Sequence, residues 1–144
     1  MKVKSFNSLI LTVLFLSSIM LSVSSCKKDD NTKPQTLKEG IAGSWNITSF
    51  KVGGTEYMGS VVKSSTLKYE AFTGSQGNFT QTVTYVDNSN ESTNGKYSVD
   101  EVSKELKMTS VDEEIIAKIN LKDDSLEFSG EQDGAALLVK ATRK

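Results

Sequence analysis

Cys26 carries the most reactive side chain in this sequence, and it stands alone. It is the only cysteine among 144 residues, and the chain has no histidine. Val23, Ser24 and Ser25 precede it: an aliphatic residue, then two small ones. The small side chains at 24 and 25 fit a narrow peptidase pocket. One cysteine excludes an internal disulfide, a thiolate cluster and a CxxC redox pair. The lack of histidine excludes His-based triads, His-ligated metals and imidazole acid–base steps. The carboxylates of Asp112-Glu113-Glu114 and Asp123-Asp124 could gather at one rim and bind a cation, although such runs more often form solvated turns. No motif places two carboxylates in a substrate cleft, and none joins Ser to Lys. The chain is therefore expected not to be an enzyme and to need no metal or cofactor.

The residues before Cys26 are those that would deliver it to a membrane. Lys2 and Lys4 open the chain, and an uncharged apolar run follows from Leu9 to Leu21. The run is short for a permanent span, which needs roughly 20 apolar residues. A basic start, a short apolar stretch and small residues make a signal peptide, residues 1–25. Val23-Ser24-Ser25-Cys26 resembles a bacterial lipobox, which implies a lipoprotein acylated at Cys26 with chains of the palmitate kind. Each buried CH₂ contributes about 0.8 kcal/mol, and stable anchoring takes more than one chain. Residues 26–36 are polar, charged and hold the only proline, so they read as a flexible tether. Lys27 stands where an inner-membrane retention signal would place Asp. Cys-Lys-Lys-Asp-Asp resembles the export tag of surface lipoproteins in one large Gram-negative phylum. The expected location is the outer membrane, lipid-anchored and exposed at the cell surface. A formal net charge of −1 offers no footprint for nucleic acid.

Residues 37–144 follow a period of two, with turn residues between short runs, the pattern of an all-β sandwich or barrel. Eight strands are expected, at about 44–52, 65–73, 78–86, 95–99, 105–110, 113–121, around Leu126 and Phe128, and 135–143. In the first, Trp45 and Ile47 share a face before Phe50 and Val52 take over, which predicts a bulge near Thr48-Ser49. The stretch 55–64 reads either as strand or as covering loop. Asp133-Gly134 predicts a type I′ hairpin turn. Thr36-Leu37-Lys38-Glu39 has the form of a capping box and opens about one helical turn. Hairpin-length connections give an antiparallel meander, and closing it removes two exposed edges. The expected fold is an eight-stranded antiparallel up-and-down barrel.

The stretch Leu37-Lys38-Glu39-Gly40-Ile41-Ala42-Gly43-Ser44-Trp45 resembles the opening of lipocalin-like barrels. Taken with the lipobox, the tether, eight strands and a terminal arginine, the chain resembles the small lipocalin-like domains of bacterial lipoproteins. The resemblance implies a helical turn closing the barrel base, with Trp45 packed under a basic residue of the last strand. Strand parity offers Arg143, the only arginine. A guanidinium over an indole is worth roughly 0.5–2 kcal/mol.

The expected inward face is mostly bulky. Such a barrel is either filled by its own side chains or holds one small ligand. If a pocket exists, Gln81 and the hydroxyls of Tyr69, Tyr85 and Tyr97 are its polar handles. The functional reading is a membrane-anchored, monomeric lipoprotein whose barrel binds a small hydrophobic ligand. The alternative is a filled barrel without a ligand, acting as a surface interaction protein through loops such as 53–64 and 87–94.

Overall fold

The computed structural model describes residues 36–144. The expected signal peptide, Cys26 and all but the last residue of the tether lie outside the described residues. The first element is a single helical turn, α1 (Leu37–Ile41). Thr36 Oγ1 accepts from Glu39 N, and the Glu39 carboxylate accepts from Thr36 N, so the capping box forms. The two amides this leaves open find a partner far along the chain. Leu37 N and Lys38 N donate to the carboxylate of Glu101, at 3.1 and 2.9 Å. A helix this short would not persist alone; it is held by what caps it.

Nine strands follow: β1 (Gly43–Val52), β2 (Thr55–Glu56), β3 (Val62–Tyr69), β4 (Gly77–Tyr85), β5 (Asn90–Asp100), β6 (Glu105–Thr109), β7 (Glu114–Lys122), β8 (Ser125–Gln132) and β9 (Ala135–Arg143). β2 is a two-residue ribbon on the end of β1. The other eight run antiparallel in chain order, and β1 pairs with β9 to close the barrel. Among the described residues, these pairings close one barrel around one hydrophobic core.

The β1–β9 register shifts between Ile47 and Ser49, the bulge that the change of parity predicts. It turns Phe50 and Val52 toward the core that Trp45 and Ile47 already face. Asp133 and Gly134 both take positive φ, 52° and 77°, as a type I′ turn requires. Two expected strands move. The second begins at Val62 and ends at Tyr69, three residues earlier at its start and four at its end than expected. The fourth begins at Asn90, and the expected 87–92 loop shrinks to a turn. The ambiguous 55–64 stretch divides into the β2 ribbon, a loop and the start of β3.

The barrel has two unlike ends. At the base Trp45, Tyr69, Tyr97, Leu106 and Leu126 are almost wholly buried with Ile41 of α1. The Tyr69 and Tyr97 rings lie 4.7 Å apart, and Phe72 meets Tyr97 edge-on at 4.8 Å. Glycine makes room for these rings. A Cβ on Gly77 would strike the ring of Tyr97, and one on Gly95 would strike Phe79 and the carbonyl of Thr109. On the outer face, lysine–carboxylate pairs such as Lys107–Glu114 at 2.9 Å and Lys140–Glu127 at 3.2 Å link neighbouring strands. Exposed pairs of this kind add little stability.

Candidate functional site

The base is closed by one cluster of polar contacts around two aromatic and cationic groups. Trp45 and Arg143 are direct partners across β1 and β9. The guanidinium lies 4.4 Å from the indole ring. Its Nη2 donates to Gly40 O at 2.7 Å and its Nη1 to Ala42 O at 3.1 Å. Trp45 Nε1 donates to Ile41 O at 2.8 Å. Together they satisfy carbonyls that the end of a helix leaves open. Gly43 is needed here: its φ is +134°, and a Cβ would stand 2.7 Å from Arg143 Nη1. Arg143 Nε also faces Asp124 at 3.3 Å. Asp123-Asp124 therefore belongs to the base, whereas Asp112-Glu113-Glu114 lies where β7 begins, at the other end. The two acidic runs do not share a rim. No cluster of metal-ligating side chains forms among the described residues.

Two of the expected polar handles are built into this base. Tyr69 Oη meets Met108 Sδ at 3.1 Å, and Tyr97 Oη donates to Glu70 O at 2.5 Å. Burial raises both hydroxyl pKa values, that of Tyr97 to about 12, with Glu70 adding to the effect. They are packing groups rather than pocket groups. Strand parity gives the side of the sheet, but not the level along the barrel.

The opposite end is hollow. A cavity of about 340 Å³ opens among β1, β3, β4 and β5, within the range of small-molecule sites. Phe50, Met58, Val62 and Val83 supply apolar wall. A smaller hollow of about 90 Å³ reaches inward past Leu67, Met108 and Phe128. Gln81 lines both, and a third recess below Phe79 as well. Its side chain makes no hydrogen bond to the described protein groups. Ser65 lies on β3 opposite Val83, only 6% exposed, and its Oγ has no hydrogen-bond partner among the described residues. A buried hydroxyl left unsatisfied costs about 1–3 kcal/mol. The residue that carries it lines the cavity. Tyr85, the remaining expected handle, stands at the mouth and donates to Glu91 Oε2 at 2.5 Å. That bond, more than burial, raises the pKa of the tyrosine hydroxyl.

The sheet splits at this end. β1 pairs with β3 only from Gly43 to Asn46, and β7 pairs with β8 only from Ala117 onward. Side chains bridge the second gap and tie down the loop beside the first. Gln132 Nε2 donates to Glu113 Oε1 at 2.6 Å across the β7–β8 opening. Beside β1, the Glu56 carboxylate accepts from Ser49 Oγ at 2.5 Å, Phe50 N at 2.9 Å and Met58 N at 3.1 Å. These donors, Ser49 first, hold its pKa down from 4.5 to about 2. A carboxylate with a lower pKa folded than unfolded stabilises fully above pH 4.5, and that share is lost as pH falls toward 2. The stability gap between the native chain and Glu56→Gln should thus narrow over this interval, read from urea midpoints. Parallel curves would mean that Glu56 does not hold the wall.

Sequence reasoning missed Ser65, Glu91, Thr93, Glu113 and Gln132, all of which line the cavity. One signal was present. Residues 90–94 are polar on both faces, which reads as loop in a filled barrel but fits a strand with a hollow behind it. A larger depression, about 810 Å³, lies outside β6–β9. It is shallow, and Lys118 beside it is already paired with Glu105 at 2.9 Å.

No protein-family model and no curated protein matches the chain. Solved structures do. A redesigned β-barrel aligns over 78% of this chain and 99% of its own, with a TM-score of 0.59 and 13% identity. Japanin from Rhipicephalus appendiculatus, solved bound to cholesterol, aligns over 71% of this chain and 74% of its own, with a TM-score of 0.55 and 10% identity. A lipocalin-like protein from Bacteroides uniformis aligns over 73% and 98%, with a TM-score of 0.48 and 18% identity. At these identities the likeness is one of fold.

Proposed function

We propose that this chain is a lipid-anchored, outer-membrane lipoprotein whose barrel binds a small hydrophobic molecule, without catalysis. One observation carries the binding reading: a largely apolar cavity of about 340 Å³ opens at the mouth, lined in part by Ser65, whose hydroxyl has no partner among the described residues. Gln81 lines the same cavity with its amide open and gives an apolar guest a polar anchor. The cholesterol held by a barrel of similar fold supports a guest of that general kind. The filled-barrel alternative fits the base, where the aromatic core is dense, but not the mouth.

A neutral apolar fluorophore, N-phenyl-1-naphthylamine, tests the binding reading. Residues 27–144 should take it up in one saturable site and release it to competing sterol. Emission unchanged by the protein would contradict the proposal. Anchoring rests on the lipobox pattern at Cys26 and is tested separately. Cys26→Ala should move the protein from the membrane fraction to the soluble fraction. The same amount on the membrane in both would rule the anchor out.

A further inference from the structure

The walls of the cavity carry charge of one sign. Glu91 and Glu113 both line it, and among the described residues no lysine or arginine does, either in the main chamber or in the two recesses beyond it. Each carboxylate is held in place by a neutral donor: Glu91 Oε2 accepts from Tyr85 and Glu113 Oε1 from Gln132. Neither is neutralised by an ion pair among the described residues, and each keeps one oxygen with no protein partner there. Deeper in the same chamber, Ser65 Oγ is buried without a partner. The unused groups thus consist of acceptors at the mouth and a hydroxyl, which can donate or accept, within.

We infer that the barrel selects guests whose polar end is a hydrogen-bond donor, a hydroxyl or an ammonium group, and discriminates against carboxylates. The inference rests on the ligand-binding reading above and adds the class of head group. An entering carboxylate would meet two like charges at the opening, a repulsion that weakens as salt rises. A hydroxyl or ammonium would instead find the open oxygens of Glu91 and Glu113. Fatty acids, a common class of apolar anion, would be excluded on charge despite fitting by shape.

A matched series separates shape from charge. Dodecanol, dodecylamine and dodecanoate share one alkyl chain and differ at the head. Calorimetric titration into residues 27–144 should give the alcohol and the amine at least roughly tenfold tighter binding than the carboxylate, about the effect of a single charge at this range. In Glu91→Gln/Glu113→Gln the advantage of the amine over the carboxylate should shrink to about threefold or less. Equal binding of all three to the native chain, or tightest binding of dodecanoate, overturns the inference and leaves the cavity reading standing. Binding of none of the three overturns both. The comparison on the native chain does not depend on how well the double variant folds.

Discussion

Trp45→Ala should cost about 3–5 kcal/mol of folding stability, the range for removing a large buried aromatic side chain. The indole is fully buried, and three things depend on it. It fills the base of the barrel. Its Nε1 satisfies Ile41 O at 2.8 Å, and its face carries the Arg143 guanidinium at 4.4 Å. Alanine leaves the carbonyl without that donor and the cation without its ring, and opens a void next to both. For a domain whose total stability is of order 5–15 kcal/mol, this is a large fraction. Trp45→Phe separates the contributions, since it keeps a ring and loses the N–H. It should cost less, about 1–2 kcal/mol for a lost hydrogen bond with imperfect refilling. Urea unfolding of residues 27–144 reads both. A loss below about 1 kcal/mol for Trp45→Ala would show that the base is not held in this way.

Ser65→Leu should act in opposite directions on stability and on binding. The substitution removes a buried hydroxyl that has no protein partner and places an apolar side chain in the hollow. Both changes favour the ligand-free fold, by about 1–2 kcal/mol once imperfect packing is allowed for. The same leucine occupies guest volume and deletes an anchor, so affinity for N-phenyl-1-naphthylamine should fall by tenfold or more, about 1.4 kcal/mol at the least. Few substitutions raise stability and abolish an activity together, and the pairing is characteristic of a site whose packing is sacrificed for a ligand. A destabilised variant that binds as before would mean that Ser65 faces packed core and that the cavity is not the binding site.

The architecture was legible because it depends on features local in sequence. Strand parity, the Asp133-Gly134 turn, the change of face at Thr48-Ser49 and the Thr36 capping box each involve a few adjacent residues. The pairing of Trp45 with Arg143 was within reach through the lipocalin-like opening of the chain, with parity on the last strand picking out Arg143. The cavity was less legible, because hollowness is a property of the barrel as a whole. Tyr69 and Tyr97 have the same parity as Gln81 and Tyr85 on their strands, yet lie at the other end. Their level depends on strand stagger and on where glycine lets a ring settle, at Gly77 and Gly95. Glu91 and Thr93 were obscured because polar residues on both faces resemble a loop. Ser65 was obscured because serine in a strand usually faces water, and only closure of the sheet buries it.

The central claim is that the mouth half of this barrel is an occupied binding site rather than a defect of packing. Native mass spectrometry of residues 27–144, purified without detergent, tests it most directly against the denatured mass of the same sample. The account predicts one extra mass per chain, either present on purification or acquired on incubation with sterols and long-chain alcohols. That mass should be lost on denaturation and absent from Ser65→Leu. A bare native mass that stays bare throughout those incubations would contradict it.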